Sequence, residues 1–180
     1  PAPARAAWCS SIEALRAAGG ELPDVLVPAW FELGETGGQL RFAGAGDPAF
    51  VLAAAHQGSS VWPLVRLAAP PSESAARCLR AELPRARERT GVDGFLLDLR
   101  SASAGGEPMA ELLRHLLDDA PVPLGVLIDR DVGTLDRGVI ARLRWLAVPP
   151  GDAGTGGRAP AEIAPSHQIL LLAPEEDVLR

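Results

Sequence analysis

The sequence contains no tyrosine, two cysteines and three histidines, and its basic residues are arginines rather than lysines. Each shortage narrows the chemistry. Cys9 and Cys78 have no metal-like spacing, and a disulfide between them is neither required nor excluded. His56, His115 and His167 are scattered and do not assemble a metal-ligating pattern. No metal and no cofactor is expected. No apolar run is long enough to span a bilayer, and Pro1-Ala2-Pro3-Ala4 is not an intact signal peptide. A segment excised from a longer protein would have lost one. Nothing matches a glycine-rich phosphate loop after a strand, which weighs against a nucleotide-binding sheet. Acidic residues outnumber basic ones by 23 to 17, a net charge of −6, which argues against a nucleic-acid partner.

What is present suits one folded domain over 1–180, with 1–4 as a linker end. The chain is 47% hydrophobic and long enough to bury a core. Short apolar runs read as strands at 6–9, 24–31, 60–67, 94–99, 123–129, 144–148 and 168–173. Helical patterns lie between them, from Ser10 or Ser11 to about 18, from Asp47 or Pro48 to 56, from Ser72 or Ser74 to 90, and over 109–118 and 136–143. Pro28 should interrupt the second strand's ladder. The Gly-rich turn at 34–38, with 39–42 after it, suggests a small hairpin. Pro84 should kink or split its helix. Residues 149–166, rich in Gly, Pro and Ala, read as a long exposed loop. Alternating strands and helices imply a parallel sheet with right-handed crossovers.

The stretch 91–100, Gly-Val-Asp-Gly-Phe-Leu-Leu-Asp-Leu-Arg, organises the rest. It reads as a buried strand in which Leu96, Asp98 and Arg100 share one face. A buried carboxylate needs a partner, and Arg100 lies about 7 Å along the strand, within reach of Asp98.

Asp93-Gly94-x-x-x-Asp98-x-Arg100 resembles the fourth-strand motif of glycoside hydrolase family 18, the chitinase-like barrels, whose pattern is Asp-Gly-x-Asp-x-Asp-x-Glu. The first Asp, the Gly and the last Asp match at Asp93, Gly94 and Asp98. The middle Asp is replaced by Leu96, and the family's proton-donating Glu by Arg100. The run Asp24-Val25-Leu26-Val27-Pro28-Ala29-Trp30-Phe31-Glu32-Leu33 is similar to the second-strand region of bacterial members. The runs 60–65 and 168–174 are similar to their third and seventh strands. The resemblance implies an α/β fold of the (β/α)8 TIM-barrel type, incomplete or trimmed, with about seven strands visible. Similar modules occur in bacterial polysaccharide synthases, beside glycosyltransferase and polysaccharide deacetylase modules. That implies an extracytoplasmic location, with any membrane tether in trimmed flanks.

The departures fall on the chemistry. In the family the Glu donates a proton, the neighbouring Asp orients the substrate's acetamido group, and a sixth-strand tyrosine holds the intermediate. Here the acid is an arginine, which stays protonated at any working pH. The sixth strand offers Trp145-Leu146-Ala147-Val148-Pro149, and no tyrosine exists anywhere. Loss of a general acid alone costs on the order of 10²–10⁴ in rate. The expectation is therefore a pseudoenzyme, carbohydrate-binding or structural, whose partner is a polysaccharide or oligosaccharide of N-acetylglucosamine type.

No catalytic residue is assigned. The degenerate motif is Asp93, Gly94, Asp98 and Arg100. Asp93 and Gly94 read as structural, and Asp98 as one half of a buried ion pair or as a relic sugar ligand. Trp8, Trp30, Glu32, Asp98 and Asp129 are the ligand-binding candidates, because strand C-termini face the ligand in such barrels. Trp62 and Trp145 read as core. His56 and His115 read as surface residues. Two alternatives remain: an active glycosidase using Glu32 with Asp129, which needs two carboxyls about 5–9 Å apart, and an unrelated open α/β sheet with a ligand at its switch point.

Overall fold

The structure is a computed structural model that describes residues 4–9, 23–34, 38–43, 46–68, 72–100, 107–118, 121–128, 137–148 and 169–173. Ten strand segments occur among them. They are β1 (Ala4–Trp8), β2 (Val25–Val27), β3 (Phe31–Leu33), β4 (Leu40–Phe42), β5 (Ser60–Val61), β6 (Leu64–Leu67), β7 (Phe95–Asp98), β8 (Leu124–Leu127), β9 (Trp145–Val148) and β10 (Ile169–Ala173). Four helices accompany them: α1 (Pro48–His56), α2 (Glu73–Thr90), α3 (Glu107–Asp118) and α4 (Arg137–Arg142). The expected helix near 10–18, the long loop at 149–166, Asp129 and His167 lie outside the described residues. Ala4, assigned above to a linker end, already belongs to β1.

Two prolines hide a simpler order. Pro28 cannot donate to a ladder, and the second barrel strand breaks there into β2 and β3. The third breaks at Trp62-Pro63 into β5 and β6. Both breaks are bridged by hydrogen bonds between these two strands, Trp62 N–H to Leu26 O at 2.9 Å and Leu64 N–H to Pro28 O at 2.8 Å. With the halves joined, the parallel pairings run from the first strand through the second, third, fourth (β7), fifth (β8), sixth (β9) and seventh (β10). β10 then pairs directly with β1, Ala4 opposite Leu170. The pairings form a circuit of seven strands, one fewer than a (β/α)8 barrel. An open sheet with a switch point is thereby ruled out. β4 is the expected hairpin arm, antiparallel to β3.

Strand alternation divides the core in two. Ala6, Val25, Val27, Trp62, Leu64, Leu96, Leu127, Ala147, Leu170 and Leu172 fill the barrel interior, with Trp8 and Trp145 partly buried against them. The opposite faces, including Val65, Phe95, Leu97, Val126 and Leu146, pack under the helices. Burial of each such large side chain contributes about 1.5–3 kcal/mol relative to exposure.

The helices follow their caps. Asp47 accepts from Ala49 N–H, with Pro48 at the first helical position of α1. Ser72 accepts from Ala75 N–H to start α2, and Gly91 ends it in the left-handed conformation at φ 75°. Pro84 does not split α2, which runs as one helix from Glu73 to Thr90. Leu79 and Leu83 keep its apolar face buried across that point.

Candidate functional site

The inner face of the strands is apolar until their C-terminal ends, where it becomes charged. β3 sets Glu32 opposite Arg66 of β6, and Arg66 stands opposite Asp98 of β7. Their flanking residues Phe31, Leu33, Val65, Leu67 and Leu97 lie in the outer core, so these three side chains share the inner face. On its other side Glu32 pairs with Arg41 of the hairpin arm β4.

Asp98 is 5% exposed. Arg100 closes a bidentate pair with it, Nε to Oδ1 at 2.9 Å and Nη2 to Oδ2 at 2.8 Å. The backbone N–H of Arg100 also donates to Oδ1 at 3.1 Å. The chain bends back immediately after β7, and the buried carboxylate finds three donors there, the partners that a carboxylate out of water requires. The guanidinium then reaches Trp8 at the end of β1, with Cζ 5.7 Å from the ring centroid. β1 and β7 are three strands apart in a circuit of seven, so this contact spans the barrel mouth. Asp98 lies sealed beneath it.

The other end of the barrel is structural, as expected of Asp93 and Gly94. The Asp93 carboxylate accepts from Val61 N–H at 2.8 Å, and its own N–H donates to Val61 O at 3.0 Å. Asp93 thus fastens the fourth strand to the third. A Cβ on Gly94 would fall 2.4 Å from Trp62 Cζ3 and 2.7 Å from Pro123 O. One on Gly125 would fall 2.6 Å from a Leu96 methyl and 2.8 Å from Trp145 Cβ. Trp62 and Trp145 meet edge to face at 6.1 Å. These two indoles fill the lower barrel, and two glycines make the space.

The ligand candidates separate accordingly. Trp8 and Asp98 are joined at the mouth through Arg100, and Glu32 lies on the same inner rim, two strands from Asp98. Trp30 does not join them. It is 2% exposed, packed edge to face on Phe50 of α1 at 5.4 Å, in the shell between strands and helices. Its backbone N–H turns back onto Pro28 O at 3.1 Å. That tight turn resets the alternation, so Trp30 and Phe31 both face outward. No face of its indole is open to a sugar. Asp129 lies outside the described residues, so the Glu32 and Asp129 pairing has no geometry here. His56 and His115 are exposed, as expected. No disulfide joins Cys9 and Cys78, and burial pushes the Cys78 thiol above its ordinary pKa.

Sequence reasoning passed over Arg66. The signal was available: in Leu64-Val65-Arg66-Leu67, alternation places Arg66 on the inward face of Leu64, at the C-terminal end of a barrel strand. It is exposed and makes no ion pair among the described residues.

In chemical terms the inner rim carries, among the described residues, the carboxylates of Glu32 and Asp98 and the guanidinium groups of Arg41, Arg66 and Arg100. Asp98 and Glu32 are two strands apart, about 10 Å between their backbones, with Arg66 between them. The group that follows Asp98 on its face, where the motif has its acid, is a cation engaged with Asp98. It has no proton to give at working pH.

No family profile matches the sequence, and no curated relative does. Solved structures do resemble it. A chitinase from Chromobacterium violaceum superimposes with a TM-score of 0.65 at 14% identity, over 94% of this chain and 68% of that one. A chitinase from Bacteroides thetaiotaomicron gives 0.66 at 10% identity, over 86% and 55%. A doubly substituted family 18 chitinase from Cycas revoluta, in complex with (GlcNAc)4, gives 0.57 at 13% identity, over 81% and 54%. The chain thus spans between about half and two thirds of these proteins. At such identities the likeness establishes the fold: that of a glycoside hydrolase family 18-type barrel.

Proposed function

We propose that the chain is a glycoside hydrolase family 18-like domain that binds carbohydrate or serves as a structural module without cleaving glycosidic bonds. The observation that carries this is the Asp98–Arg100 pair. The carboxylate corresponding to the family's acetamide-orienting Asp has both oxygens engaged by a guanidinium, and that guanidinium occupies the position of the proton donor. The carbohydrate half draws support from the fold and from a similar structure that holds (GlcNAc)4. An extracytoplasmic place within a larger polysaccharide-synthesis or -modification protein, beside a glycosyltransferase or deacetylase module, belongs to the same proposal.

Titration calorimetry with chito-oligosaccharides and other β-linked glycans tests the binding half. Saturable heat supports it, and silence across the panel reduces the domain to a scaffold. Hydrolysis through Glu32 with Asp129 draws no support from the surroundings of Glu32, which has an arginine opposite it on both neighbouring strands.

A further inference from the structure

We draw no further inference here: the strongest candidate, the apolar surface that Leu52 on the outer face of α1 and Phe42 on the hairpin arm β4 present to solvent, carries nothing because nothing in the structure shows what covers it.

Discussion

Arg100 and Trp8 come from barrel strands three apart, yet the Arg100 Cζ lies 5.7 Å from the Trp8 ring centroid. One side chain thus crosses the opening above Asp98 and is anchored at both ends. A cation over an aromatic face is worth about 0.5–2 kcal/mol, and a bidentate bond to a carboxylate is stronger again. The mouth is therefore closed over Asp98, the one buried acid among the described residues, by a group that cannot exchange protons with a substrate.

Arg100→Gln should destabilise the fold by about 2–3 kcal/mol, because it leaves the Asp98 carboxylate buried with fewer donors. The double variant Asp98→Asn, Arg100→Gln should lose less than the two single losses combined. Urea unfolding of the three variants measures this. Additive losses would show that the two side chains are energetically independent.

Arg100→Glu restores the motif's acid in name. Glycosidase activity should not return, since no tyrosine exists to support the intermediate and Asp98 would face a like charge. Release of a fluorescent aryl group from a chitobioside reports it, with background rate the expected result.

Gly94→Ala should destabilise by about 1–3 kcal/mol, since its methyl would overlap the Trp62 ring and Pro123 O. Introduced into a Trp62→Phe background it should cost less, though not nothing, because the carbonyl remains. Thermal unfolding of the four proteins completes that cycle.

The Arg142 guanidinium holds the Asp118 carboxyl below its ordinary pKa, through a 2.7 Å hydrogen bond that joins α4 to α3. A pKa depressed on folding contributes stability that is present above the unfolded value and lost as pH falls through the folded one. In Arg142→Gln the Asp118 pKa should rise toward the ordinary carboxylate value, as followed by carboxyl chemical shifts in an NMR titration. No rise would mean that the pair is not formed in solution.

Much of this was legible in the residues, because local rules govern it. Pro28 broke its ladder, Gly94 proved a packing glycine, Asp93 a structural acid, and Arg100 reached Asp98, each for a reason visible within ten residues of sequence. What failed depended on distant partners. Trp30 looked like a rim aromatic because it sits near a strand end. The turn at Pro28 shifted its alternation, and Phe50, twenty positions on, gave it a place in the outer shell. Pro84 was expected to kink or split α2, and the helix is not split there: the buried stripe through Leu79 and Leu83 holds it on the barrel. The reach of Arg100 across to Trp8, and the direct pairing of β10 with β1, are properties of the circuit and of no single segment.

The central claim is that this mouth has no working proton donor. It is tested most directly by prolonged incubation of the purified chain with chitin oligomers across pH 4–8, the range in which a carboxyl acid would serve, with products read by mass spectrometry. Intact oligomers at every pH are predicted. Shorter oligomers that accumulate with time, and that vanish in Asp98→Asn, would contradict it.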